Sequence, residues 1–203
     1  MTRKYIVQIL VCSVLLLFVT ALPASAETAQ EFLERGHDAF NKGKYEDAIK
    51  IYDKVIADNP DVTVIYYYRG MAYYKRGKYT ESVNDFTKVL EKNASDTEVL
   101  YRRGLAYYKK GHNEKAIEDY TRAIALNPNL ADVYMNRGIS YALNRQYDEA
   151  IDDYNKAIML KINFDIAYYN RGVAYARKAQ ADFKKACDMD IKAACTNLKQ
   201  ISD

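Results

Sequence analysis

Glycine recurs at positions 36, 70, 104, 138 and 172, a step of 34 residues each time, and an arginine precedes every copy (Arg35, Arg69, Arg103, Arg137, Arg171). Three residues after the glycine stand Tyr73, Tyr107, Tyr141 and Tyr175, with Ala39 in the first copy. Twelve residues after it come Ala48, Ser82, Ala116 and Ala150, and sixteen after it Tyr52, Phe86, Tyr120 and Tyr154. A period of this size with fixed small and aromatic columns marks a stacked supersecondary unit, in which no single copy buries a core and stability comes from neighbours packing on one another.

The columns have local physical reasons. Apolar residues of 79–90 (Tyr79, Val83, Phe86, Val89, Leu90) recur at three and four, one buried stripe on a helix, and 113–126 and 147–160 repeat it. Gly43, Gly77 and Gly111 end the preceding helices, because glycine accepts the left-handed conformation that follows a helix C-terminus. The periodic glycine falls mid-helix, where it costs about 1 kcal/mol relative to Ala. Close approach of the second helix through Ala48, Ser82, Ala116 or Ala150 is the expected compensation.

This pattern resembles the tetratricopeptide repeat, whose 34-residue helix-turn-helix unit carries Gly, Tyr, Ala, an aromatic and Pro in that order. The resemblance implies an all-α fold, a right-handed α-α superhelix, with units at 29–62, 63–96, 97–130 and 131–164, a shortened fifth at 165–187 and a C-terminal cap at 188–203. Pro60 and Pro128 close the first and third units, while Ala94 and Ile162 stand in the other two. In the fifth, Asp182-Phe183 matches Asp119-Tyr120 but follows its glycine by eleven residues instead of sixteen. No Gly or Pro lies beyond Gly172, so two helices joined by a tight turn, or one merged helix, are open; a tight turn is expected.

Residues 1–26 have a different character. Arg3 and Lys4 precede an almost uninterrupted apolar run from Ile6 to Leu22, followed by Ala24-Ser25-Ala26, the layout of a secretory signal peptide cleaved after Ala26. The chain is then expected to be exported, periplasmic or secreted; the alternative is a membrane anchor formed by residues 6–22, the one route to membrane association. Without that segment 28 basic and 27 acidic residues remain, evenly mixed, which argues against nucleic acid as a partner.

Cys187 and Cys195, eight apart, look like the Cys-x7-Cys element of exported, cysteine-bearing solenoid repeats, which implies a disulfide between consecutive helices. Two buried free thiols are the other reading. In an unbroken helix eight residues span about 12 Å, whereas a disulfide wants Cα atoms about 5.5 Å apart, so a bridge also requires a break between Asp188 and Ile191. Asp190 stands where that element has Gly.

Catalytic signatures are missing. The chain has two histidines, His37 and His112, and none of the zincin, nucleophile-elbow, phosphate-loop or dinucleotide patterns, so no catalytic residue, cofactor or metal is assigned. His112 falls in a turn, and His37 is expected to be exposed in a groove or on the surface. The five arginines could form an anion-binding ladder. Asp85, Asp119 and Asp153, sixteen residues after their arginines, favour structural pairing instead.

The resemblance further implies that the first helix of each unit lines a groove, into which residues three before and one, four and five after the glycine point. These include Leu33, His37 and Phe40 in the first unit, then Tyr67, Met71, Tyr74, Lys75, Tyr101, Leu105, Tyr108, Lys109, Met135 and Tyr169. Leu33 and His37 replace the Lys and Asn of the carboxylate clamp found in one branch of the family. An aromatic, apolar face with a few cations fits capture of a protein partner's peptide or helix. Two other readings are sugar stacking in carbohydrate or cell-envelope ligand binding, and tyrosines that pack on one another and fill a shallow arc.

Overall fold

The computed structural model describes residues 29–161 and 163–202, which form ten helices and no strand among the described residues. They are α1 Ala29–Asn41, α2 Tyr45–Asp58, α3 Thr63–Lys75, α4 Tyr79–Lys92, α5 Thr97–Lys109, α6 Asn113–Leu126, α7 Ala131–Leu143, α8 Tyr147–Leu160, α9 Asp165–Asp188 and α10 Lys192–Ser202. The expected signal segment lies outside the described residues, as does Ile162. No described helix is long and apolar enough to cross a membrane.

Each first helix ends in the same hydrogen-bonded cap. Gly43, Gly77 and Gly111 take φ of 75, 75 and 76°, and the next N–H reaches back five residues, as from Lys44 to Ala39 O at 2.9 Å. Arg145 does the same at φ 62° without glycine, with Gln146 N–H donating to Tyr141 O. The second helices end on Asn59, Asn93 and Asn127, whose N–H groups return to Val55, Val89 and Ala123. Asn93 does so with Ala94 behind it, so the helix end does not depend on the proline.

An aromatic ring fills the space at the mid-helix glycines, which corrects the expectation placed on the small column. A Cβ at Gly36, Gly104 or Gly138 would come within 2.5 to 2.7 Å of the ring of Tyr52, Tyr120 or Tyr154, and one at Gly70 within 3.0 Å of Phe86. Ala48, Ser82, Ala116 and Ala150 are fully buried in the same interfaces. Each ring therefore packs directly against the backbone of its own first helix, and the missing side chain there makes room for it.

The fifth unit departs from the expected tight turn. Residues 165–188 run as one helix, α9, of 24 residues against 13 or 14 in the helices before it. With neither Gly nor Pro after Gly172, nothing in 173–187 breaks the run. The break comes at Asp190, φ 65°, where Ile191 N–H donates to Ala186 O. That turn lets α10 double back, and Cys187 and Cys195 form a disulfide with Cα atoms 4.7 Å apart.

Candidate functional site

Consecutive first helices touch one another as well as their own second helices, so α1, α3, α5, α7 and α9 make one side of the molecule. On it Tyr67, Met71, Tyr101, Leu105 and Tyr108 pack over the core of Phe86, Leu100, Ala116 and Tyr120. Tyr67 lies 6.0 Å from the Phe86 ring and Tyr101 6.1 Å from Tyr120. These tyrosines are half-buried, packed on the core yet still partly exposed. Burial pushes the hydroxyls of Tyr67, Tyr74 and Tyr101 above the usual tyrosine range, and for Tyr74 the neighbouring hydroxyls of Tyr79 and Tyr108 add to it.

Lys75 and Lys109 sit at the exposed ends of α3 and α5, and the Lys109 ammonium lies 5.4 Å from the Tyr108 ring centre. Met135 packs with Tyr134 and Phe164 one step along. Tyr169 stands apart from these on α9, 73% exposed, beside the exposed Val173. Leu33 does not face a groove: it is buried in the first core cluster. His37 is half-buried, its ring edge-on to Tyr68 at 3.9 Å, with Nε2 enclosed and without a hydrogen-bond partner among the described residues. Burial lowers its pKa.

Two residues that the pattern did not single out shape this surface. Asn136 donates from Nδ2 to the Tyr101 hydroxyl at 3.1 Å, and Arg102 lies 5.6 Å from the Tyr101 ring while pairing with Glu98 at 2.7 Å. Both occupy the column two residues before the glycine, which also holds Tyr68 and Asn170. It has no common residue type, so periodicity does not flag it.

The arginine column is structural. Arg69, Arg103 and Arg137 each grip the aspartate of their own unit through Nε and Nη2 at 2.7 to 2.8 Å. The remaining Nη1 reaches the previous unit, at Asp53, Thr87 and Thr121 respectively. Asp119 is 1% exposed, so the guanidinium supplies the hydrogen bonds that water cannot.

Residues 36–77, 70–111 and 104–144 match the TPR repeat family, and 131–164 match the tetratricopeptide repeat. The chain is a tetratricopeptide repeat protein. No curated protein sequence matches it. Among solved structures it is similar to a crystal structure of MamA protein, with 30% identity over 82% of this chain and 93% of that one and a TM-score of 0.72. A second MamA crystal structure shares 28% identity over 82% and 91%, with a TM-score of 0.69. MamA from Desulfovibrio magneticus RS-1, residue 41 to the end, has the same fold at 21% identity over 88% and 97%, TM-score 0.73. The tetratricopeptide architecture is that of a protein-interaction scaffold, and proteins of this family are typically non-catalytic.

Proposed function

We propose that this tetratricopeptide protein is an exported scaffold that holds a peptide or helix of a protein partner along the face made by its first helices. The observation that carries the reading is the half-exposed row of Tyr67, Met71, Tyr74, Tyr101, Leu105 and Tyr108, rimmed by the exposed Lys75 and Lys109. Rings anchored on one side by the core lose little entropy when the other side is covered, and they offer large contact area. The lysines suit an acidic group at the partner's edge. The disulfide of the C-terminal helices supports export, since such bonds persist in oxidising compartments.

A photo-crosslinking residue at Tyr74, compared with one at the exposed Lys88 on α4, tests the surface in the native envelope fraction. A product specific to position 74, and reduced by Tyr108→Ala, is expected. Equal products from both positions, or full binding by a folded Tyr74→Ala, Tyr108→Ala double variant, would move recognition elsewhere.

A further inference from the structure

Four of the five periodic glycines are covered by an aromatic ring; the fifth is open. A Cβ at Gly172 would meet nothing within 4 Å. The neighbours that should share its cover are open too: Tyr168 is 45% and Tyr175 52% exposed, whereas Leu100 and Tyr134, in the column of Tyr168, are 0% and 8%. Arg171 repeats the theme. Its Nη1 meets Asn155 at 2.6 Å, like its counterparts, but Nε and Nη2, which grip aspartate in three other units, have no hydrogen bond among the described residues.

The cause is the merged helix. In the earlier units the chain turns seven residues after the periodic glycine, at Gly43, Gly77, Gly111 and Arg145; here it turns eighteen after, at Asp190. Eleven extra residues are about three helical turns, so the turn points to nearly the same side but about 16 Å further along. α10 therefore meets α9 around Cys187 and leaves the stretch from Tyr168 to Tyr175 without a second helix. The site of a second helix is kept and its occupant is displaced.

We infer that this face of α9 is a docking site for one helix of a protein partner, an amphipathic helix carrying aspartate followed by tyrosine or phenylalanine, with a small residue four before the ring. The molecule itself specifies that chemistry. Ser82-x-x-Asp85-Phe86, Ala116-x-x-Asp119-Tyr120 and Ala150-x-x-Asp153-Tyr154 fill the equivalent space in the other units. The incoming ring covers Gly172 between Tyr168 and Tyr175, and the carboxylate enters the open fork of Arg171. The surface borders α8, where Arg171 meets Asn155, and lies on the side of α9 toward which α10 turns; it shares no residue with the face of Tyr67, Tyr74, Tyr101 and Tyr108 and does not rest on that reading.

The chain is expressed from Met1, purified as the cell leaves it and titrated against a peptide of the α8 sequence, Tyr147–Leu160, held helical by a lactam from Asp148 to the amine of an Asp152→Lys substitution, both positions facing solvent. Binding is expected, with loss of about tenfold or more in affinity for Gly172→Leu, for Arg171→Glu, and for the peptide with Asp153→Lys. Gly172→Leu meets open space in the free chain, so helix content and thermal midpoint should be unchanged or higher, which separates lost docking from lost folding. No binding at about 1 mM peptide, or binding indifferent to Gly172→Leu, overturns the inference. So does a homodimer in sedimentation that Gly172→Leu dissociates, which would give the face to a second copy.

Discussion

Tyr120 packs directly against Gly104: a Cβ at position 104 would stand 2.5 Å from its Cε1. The same column at position 172 faces open space. Two identical substitutions should therefore have opposite signs. Gly104→Ala gains about 1 kcal/mol of helix propensity but overpacks a fully buried ring, at about 1–3 kcal/mol, so a net loss is expected. Gly172→Ala keeps the propensity gain. Urea denaturation of the two variants checks the contrast; equal effects would mean that the ring is not what requires glycine.

The buried arginine pairs make a second test. Asp119→Ala leaves the Arg103 guanidinium buried without its carboxylate and should cost about 3–5 kcal/mol. Asp38→Ala removes a pair with Lys42 whose side chains are both largely exposed, and should cost less than about 0.5 kcal/mol. Comparable losses in thermal or urea melts would show that the arginine column is not structural.

Alkali should unfold the protein through its core tyrosines. Burial pushes the hydroxyls of Tyr52, Tyr120 and Tyr154 well above the ordinary value of about 10. The folded state holds these protons more tightly than the unfolded chain, so their effect on stability is constant below about pH 10 and stability falls as pH rises beyond it. Phenolate absorbance should resolve two classes, the second appearing together with loss of helical circular dichroism. A single class ionising near pH 10 with helices intact would contradict this placement of the rings.

His37 works in the other direction. Its pKa is lowered by burial, so the fold favours the neutral ring, and that contribution is present above about pH 6.5 and lost as pH falls toward the depressed value. His37→Phe, which keeps a ring against Tyr68, should lose less stability than the parent chain between about pH 7 and 5.5. An unchanged pH dependence would place the histidine in solvent.

The repeat was legible because its columns are set by backbone and packing requirements. Gly43, Gly77 and Gly111 mark left-handed caps, and the paired period of Gly104 and Tyr120 marks a close helix contact even though the role of the ring was assigned to Ala116. The cap at Arg145 was harder to read, since non-glycine residues rarely take positive φ, and the one at Asp190 was marked only by the cysteine spacing, which requires a break between Asp188 and Ile191. Merging of α9 follows from the absence of Gly and Pro between Gly172 and Asp190. Within the surface, the tyrosine positions came from the family resemblance. Asn136 and Arg102 did not, because a position that contacts the previous repeat by a different side chain each time leaves no period. Leu33, placed in the groove by its column, is buried in the first core cluster, while the half-buried His37 packs its ring on Tyr68.

The disulfide gives the last test. Closing a loop of about nine residues restricts the unfolded ensemble by about 2–3 kcal/mol, and α10 has eleven residues, too few for a stable isolated helix. In a stack where units couple to their neighbours, that contribution stays near the end of the chain. Cys195→Ser should therefore leave the melting of α1 to α8 nearly unchanged while amide exchange in Lys192–Ser202 rises sharply. The residues around Met189-Asp190-Ile191 should follow, because their cap is held by the returning α10. Uniformly faster exchange along the whole solenoid would instead make the bridge a global clamp, and unchanged exchange in α10 would show that Ala194, buried against α9, holds the helix by packing alone.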